Sequence, residues 1–501
     1  MTPTENTPAH DRQQATPYAD AVLRYRARHF TQFHTPGHKQ GKGAPEKMRE
    51  IFGLPLLGVD VAMAGGVEDV RESTHLVQAA EELAAEAWGG ERCWFLVNGS
   101  TSGVHALVLT LAGPGDTVIV PRNAHKSLHA ALIFSGAMPH YVEPTVDPEW
   151  GIPRNVPTER FAAAVATHPR AKGLFCVSPS YNGLCAELPR LAEIAHGAGM
   201  PFIVDQAWGP HLRFCDRLPV DAMTAGADAF VTSVHKLISG FTQSSVLLAN
   251  GARFNVPRLE SMVKMTQSTS PQVLIYASID SARMQMATTG QELWSRALEL
   301  ADRARAEVNT IKGVRCLDHD VLEAEGVYAF DPTRLTISAC GLGLSGFELE
   351  MRLRDDSAIA IEAADALNVV LNVTYGDSDD DLDRLVEALR DLSGRLSGAD
   401  GAAAEAACRA LLVHLPAFTS QAMSPRDAFF ADSEPLPARH CVGRVSAEIV
   451  TPYPPGIPVV APGEVVSDEL ADYLEEGAAA RLHVHGPEDP SLRTLRVVRE
   501  P

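Results

Sequence analysis

The sequence predicts an α/β protein built on a mostly parallel sheet, followed by a smaller α+β domain and a C-terminal α+β domain. Three observations carry this. Between residues 76 and 300, amphipathic helical runs alternate with short β-branched apolar runs. Those short runs are continuously apolar, which fits strands covered on both faces. Polar residues gather just past three of them, where open α/β sheets bind ligands.

Residues 1–75 form an N-terminal segment. It is polar to about residue 17, then helical over Tyr18–Phe30, then a loop over His34–Gly41. Residues 76–300 form the large domain, opening with the helix Leu76–Trp88. Strands are predicted at Cys93–Val97, Thr117–Val120, Gly173–Val177, Pro201–Val204, Ala229–Thr232 and Ser245–Ala249. Amphipathic segments at Gly103–Leu111, Ser127–Ser135 and Leu188–Gly197 fill the intervals. A long helical run, Gln291–Ile311, leads into the smaller domain, residues 301–393. Residues 394–501 form the last domain. It begins with a small-residue linker or exposed helix, Arg395–Ala407, and contains the rigid proline loop Tyr453–Pro458.

Over the 501 residues, 45% are hydrophobic and 21% charged, which excludes a disordered, collagenous or coiled-coil chain. Lys and Arg total 43 against 63 Asp and Glu, a formal net charge of −20. That balance argues against nucleic acid or an anionic membrane surface as partner. The eight cysteines are scattered and make no C-x-x-C pair, so reduced, packed thiols and a cytoplasmic address are expected. Met1–Asp20 lacks the apolar core of a secretory signal, and no run approaches the roughly 18 apolar residues of a membrane span.

Three strand ends carry the chemistry. Asn98-Gly-Ser100-Thr101-Ser102-Gly103 turns a strand into a helix, offering hydroxyls and free backbone N–H groups to a phosphate. An ordinary helix cap would use the same residues. Asp205 ends a second strand, placed to hold a protonated ring nitrogen or simply to cap a helix. Lys236, in Ser233-Val-His235-Lys236, follows a third; burial would lower its pKa and make it a nucleophile, whereas a solvated loop lysine would do nothing. Together these are the parts pyridoxal phosphate needs: a phosphate site, an acid for the pyridine nitrogen and a lysine for the Schiff base. His125 adds a ring to stack on the cofactor.

At this point the chain resembles a known family, the fold-type-I pyridoxal-phosphate decarboxylases of ornithine, lysine and arginine, in the compact form without an N-terminal receiver-like domain. The resemblance runs from about residue 30 to the C-terminus. It rests on FHTPGHKQG (33–41), FLVNGSTSG (95–103), PRNAHKSLHAAL (121–132), SPSYNGLCAEL (178–188), VDQAWGPH (204–211), SVHK (233–236), STSP (268–271) and PYPPGIPVVAPGE (452–464). It implies an aminotransferase-like large domain and decarboxylation of a basic L-amino acid. It also implies a homodimer or higher homo-oligomer with sites at the dimer interface. By the same resemblance, Lys236 is the Schiff-base lysine, Asp205 pairs with the pyridinium nitrogen, and Ser100, Thr101 and Ser102 hold phosphate. His125 stacks on the ring, Ser233 and His235 flank phosphate and lysine, and His235 or Lys236 returns a proton. Ala207, Trp208 and His211 line the pocket, while Ser268 and Thr269 reach the neighbouring subunit's cofactor. Glu448 is the candidate for the substrate's distal cation, or else a structural acid. Gln206 departs from the Asp-Glu-Ala of many relatives, and Ala64–Val70 matches only loosely.

Other readings compete. Gly341-Leu-Gly343-Leu-Ser-Gly346, with Glu362 about twenty residues on, is a formal dinucleotide fingerprint and would suit an NAD-binding oxidoreductase. An aminotransferase shares the expected fold. A nucleotide loop at Gly37–Lys42 fails, because three residues rather than four separate the glycines and Gly43 replaces the Ser or Thr. A zinc pair at His34 and His38 fails because Pro36 and Gly37 break the helix that would align them, and no metal is expected.

Overall fold

A computed structural model describes residues 9–62, 67, 75–396, 403, 405, 406, 408, 415–452, 456–480 and 482–500. The stretch 64–70 apart from Val67, most of the 395–407 linker, and Tyr453–Pro455 lie outside the described residues.

The principal elements in chain order are β1 (Arg92–Leu96), α1 (Gly99–Leu111), β2 (Thr117–Pro121), α2 (Lys126–Ser135), β3 (Met138–Val142), β4 (Leu174–Val177), α3 (Leu188–Gly197), β5 (Phe202–Asp205), β6 (Ala229–Thr232), α4 (Val234–Leu237), β7 (Ser245–Ala249), α5 (Val273–Val308), β8 (Arg315–Cys316), β9 (Arg334–Ser338), α6 (Gly346–Ser357), β10 (Ala363–Ala364), β11 (Asn368–Asn372), β12 (Ser433–Pro437) and β13 (Thr494–Val498). By compactness the chain forms two units, residues 1–110 with 201–294, and residues 111–200 with 295–501.

In the first unit, β1 pairs antiparallel with β7, Leu96 opposite Ser245. β7 pairs antiparallel with β6, and β6 parallel with β5, Val231 opposite Asp205. So β1, β5 and β6 run the same way, and their C-terminal ends share one edge. The strands are apolar on both faces because both are covered: Leu96, Val204, Phe230, Val231 and Leu247 are all fully buried. α1 lies flush on them. A Cβ at Gly103 would fall 2.7 Å from Val231 and 2.8 Å from Leu96, so only glycine permits that approach.

In the second unit, β2 lies between β4 and β3 and is parallel to both. β3 is a strand that the sequence reading lacks. Its sequence, MPHYV, carries a proline and only partial burial. An edge strand tolerates both, since Pro139 needs no ladder partner on its open side. The order β10-β11-β9-β8 makes an antiparallel sheet over a core that includes Leu335, Ile337, Leu349, Leu353 and Leu389. In the C-terminal region β12 pairs antiparallel with β13 beside a core of Val450, Val460, Leu470, Leu474 and Val497. Both regions are α+β, as the sequence predicts.

α5 begins at Val273, well before the predicted start at Gln291. Thr288-Thr289-Gly290 reads as a break because these are poor helix formers. The helix runs through them, and Gly290 is there for packing: a Cβ on it would lie 2.7 Å from that of Phe214.

The dinucleotide reading is corrected here. The fingerprint requires a parallel strand–helix–strand unit, and β9 is antiparallel to its sheet neighbours. The helix start after the glycines is also closed by a capping box. Ser345 Oγ accepts from Glu348 N–H, and Glu348 Oε2 accepts from Ser345 N–H at 2.9 Å. That carboxylate stands where a pyrophosphate would bind. Glu362 accepts a hydrogen bond from Asn372 Nδ2 at 2.9 Å.

All eight cysteines are buried, and none forms a disulfide. Among the described residues, no helix is long and apolar enough to cross a membrane, and no group of three or more His, Cys, Asp or Glu side chains could hold a metal ion.

Candidate active site

The shared edge of β1, β5 and β6 collects three turns. In the first, Gly99 takes φ +70°, a left-handed conformation that swings β1 into α1. Its N–H donates to Gln243 O at 3.0 Å. Ser100 Oγ then lies 2.7 Å from Ser233 Oγ and 3.2 Å from Ser245 Oγ, so hydroxyls from three segments cluster at the start of α1. A helix N-terminus with buried hydroxyls suits an anion. The predicted triplet divides its tasks. Ser102 Oγ donates back to Gly99 O at 3.0 Å and is buried, and Thr101 is exposed.

The second turn carries Asp205, whose Oδ1 accepts the Ala207 N–H at 3.1 Å. Gln206 is fully buried, with both ends of its amide used. Oε1 accepts from Ala222 N–H at 2.7 Å, and Nε2 donates to Gly209 O at 2.9 Å. Thr232 Oγ1 donates to Gln206 O at 2.8 Å, and Ser233 N–H to Ala207 O at 3.4 Å, which joins this turn to the third.

In the third turn Lys236 Nζ sits 3.8 Å from the Trp208 ring centroid. His235 Nδ1 is 2.7 Å from Ser244 O. A carbonyl only accepts, so Nδ1 carries the hydrogen and Nε2 is left as the basic nitrogen of the neutral ring. Ala207 is half-buried beside Trp208. His211 departs from expectation: it is fully buried with its ring 4.3 Å from Trp294, so it packs the core instead of lining an open pocket. Ser268 and Thr269 are exposed. Gln267, which sequence reasoning missed, anchors them by accepting from Val97 N–H at 2.8 Å and donating to Phe95 O at 3.2 Å. Ser245 was missed too; a hydroxyl opening an otherwise apolar strand was its signal.

His125 and Glu448 belong to the second unit. His125 caps α2, its Nδ1 accepting from Ser127 N–H at 3.2 Å while the ring stays exposed. Two residues the sequence reading passed over, Arg122 and Glu464, form a buried bidentate pair nearby. Burial and the Arg122 charge push the His129 ring down to about 3. Glu448 is buried, and both its oxygens are occupied: Oε1 accepts from Arg496 N–H and Oε2 from Glu488 N–H, each at 2.7 Å. Burial raises its pKa. Its carboxyl therefore holds the C-terminal fold together, the structural role of the two considered.

The profile of the Orn/Lys/Arg decarboxylase major domain matches residues 16–381, and that of the family's C-terminal domain matches residues 409–487. The chain belongs to the Orn/Lys/Arg decarboxylase family. An arginine decarboxylase of Bacillus subtilis (strain 168) is 39% identical over 97% of this chain and 99% of its own length. One of Halalkalibacterium halodurans is 38% identical over 98% and 99%. The solved structure of lysine decarboxylase A from Pseudomonas aeruginosa superimposes with a TM-score of 0.81 at 22% identity, covering 97% of this chain and 81% of that one. The large domain is aminotransferase-like, as the sequence predicts.

In this Orn/Lys/Arg decarboxylase family member, the major-domain match takes in the loop His34–Gly41. Its histidines are engaged separately: His34 Nε2 lies 2.7 Å from Tyr25 Oη, and His38 Nε2 lies 3.0 Å from Asp60 Oδ2. These bonds fasten the loop without making a shared ligand pair.

Proposed function

We propose that the protein is a pyridoxal-phosphate-dependent decarboxylase of a basic L-amino acid, with arginine the first substrate to test. The observation that carries the reading is the convergence, on one edge of the sheet, of the Ser100–Ser233–Ser245 hydroxyls at the start of α1, the Asp205 carboxylate and the Lys236 amine against Trp208. That donor set fits a phosphorylated pyridine aldehyde: an anion cradle, an acid for the ring nitrogen and a primary amine for the aldehyde. The relatives named arginine decarboxylase direct the choice of substrate.

When bound, the cofactor supplies an electron sink for the pair left as the carboxylate departs. This chain's residues supply the rest. Ser100, Ser233 and the α1 N–H groups hold the phosphate, with Thr101 at the open rim. Asp205 keeps a proton on the ring nitrogen by its charge. Trp208 shields the Lys236 amine from water. His235, with Nδ1 occupied by Ser244 O, presents Nε2 to hold a proton for the α-carbon. Ser268 and Thr269, exposed and anchored by Gln267, complete a second protomer's site in a homodimer. A cytoplasmic address belongs to the same reading, supported by eight buried thiols outside any disulfide.

The test is the visible absorbance of the purified protein with added pyridoxal phosphate, before and after borohydride, followed by CO2 release from arginine, lysine and ornithine. A band abolished by borohydride and absent from Lys236→Ala, with release fastest from arginine, is the expected result. A protein that takes up no cofactor overturns the reading, and faster release from lysine or ornithine overturns the substrate.

A further inference from the structure

Past the short lysine helix α4 the chain doubles back into β7 through a tight turn, Phe241–Ser244. Ser244 N–H donates to Phe241 O at 2.9 Å and closes the turn. Phe241 N–H donates to Ser278 Oγ on α5 at 3.0 Å and anchors it. Gln243 stands third in the turn, with φ +80°. That is the φ of the third residue of a type II turn, a position that favours glycine because a side chain there crowds the backbone. The glutamine side chain is exposed and holds no hydrogen bond among the described residues.

The backbone of the turn, by contrast, is engaged at the site. Gln243 O accepts Gly99 N–H at 3.0 Å and so fastens the hydroxyl turn at the head of α1. The next carbonyl, Ser244 O, takes two hydrogen bonds from His235, one from its N–H at 3.3 Å and one from its ring Nδ1 at 2.7 Å. Ser244 is fully buried. Ser245 follows, its hydroxyl 3.2 Å from Ser100 Oγ. All of these residues lie within the first unit. Rotation about φ of Gln243 turns the half of the loop that bears both carbonyls against the half anchored to Ser278. A single dihedral therefore aims both.

We propose that Gln243 is a positioning residue that acts through its backbone: its left-handed conformation aims one carbonyl at the hydroxyl turn that holds the cofactor phosphate and the next at the ring of His235. Phosphate binding and proton return are then set by one turn. This rests on the roles given above to Ser100 and His235.

The experiment compares Gln243→Gly, Gln243→Ala and Gln243→Val with the wild type. Pyridoxal phosphate is titrated by absorbance into each apoprotein, with circular dichroism of the bound cofactor and apoprotein melting alongside. kcat and KM for CO2 release are then measured at saturating cofactor, with the basic amino acid that the wild type uses fastest. Glycine takes φ +80° freely and alanine at the cost glutamine already bears, so both should bind cofactor within about twofold of the wild type. Valine is β-branched and disfavours positive φ. Gln243→Val should weaken cofactor binding about tenfold and change its dichroism. At saturating cofactor its kcat should fall about tenfold below that of Gln243→Gly, with KM changed less than about threefold.

An alanine variant as impaired as the valine one would assign the effect to the carboxamide and overturn the proposal. So would a valine variant that keeps both properties, or one that loses only affinity or only kcat. If Gln243→Val does not fold, Gln243→Thr, β-branched but polar, takes its place. A wild type that takes up no cofactor overturns the cofactor reading beneath the proposal. One that takes it up but releases no CO2 overturns the decarboxylase reading and the His235 half of the proposal.

Discussion

At position 206 one atom decides what fits. The Gln206 amide both accepts from Ala222 and donates to Gly209 O. An ionised glutamate has no hydrogen to give, so it would face that carbonyl oxygen to oxygen in a fully buried site. Gln206→Glu should therefore cost about 1–3 kcal/mol in urea unfolding at pH 7, with a smaller loss at low pH where the acid protonates. No loss would mean the turn accommodates a charge. His129 is a second single-residue case. Its folded pKa of about 3 lies below the ordinary 6.5, so the native state holds it neutral. Its contribution is complete above pH 6.5 and disappears as pH falls toward 3, amounting to about 2 kcal/mol lost by pH 5. His129→Leu should flatten the fall in urea midpoint between pH 7 and pH 5; an unchanged slope would assign the acid sensitivity to other groups. Sequence could not supply either result, because both depend on what a long-range fold places beside the side chain.

Among elements, the strands with continuous apolar sequence were legible nearly to the residue, and those with mixed sequence were not. Ala229–Thr232 and Ser245–Ala249 are bounded as expected. β3 escaped because Pro139 and His140 break the apolar pattern that a buried strand needs and an edge strand does not. α5 was cut short because Gly290 reads as a breaker. Its reason is the nearness of Phe214, which gives a prediction at this scale. Alanine favours a helix over glycine by about 1 kcal/mol, yet Gly290→Ala should destabilise by about 1–3 kcal/mol through overpacking. A thermal melt with a raised midpoint would show that Phe214 yields.

For the whole molecule, the legible part of the site was the part carried by local chemistry: a hydroxyl turn, an acid and a lysine, each on its own strand end. What each hydroxyl or acid already binds was hidden. Ser102 turns back on Gly99, His211 packs on Trp294, and Glu448 takes two backbone N–H groups. The Arg122–Glu464 pair was invisible for the same reason, since nothing in either local sequence names a partner 342 residues away. The proposed sharing of sites between protomers has its own test. Lys236→Ala and the double variant Ser268→Ala with Thr269→Ala should each be inactive, and unfolding and refolding them together should restore about a quarter of wild-type activity in mixed dimers. A mixture as inactive as its parts would confine each site to one chain.

The indole of Trp208, 3.8 Å from the Lys236 amine, gives the molecule an optical instrument of its own. Of the five tryptophans, Trp88, Trp94 and Trp294 are buried, while Trp208 is half-buried beside the amine. A conjugated pyridine attached to that amine would quench the emission of its neighbour. Loading can then be followed as a loss of fluorescence, with no substrate and no turnover, and Trp208→Phe should remove most of that signal. The side chain that guards the amine also reports what the amine holds.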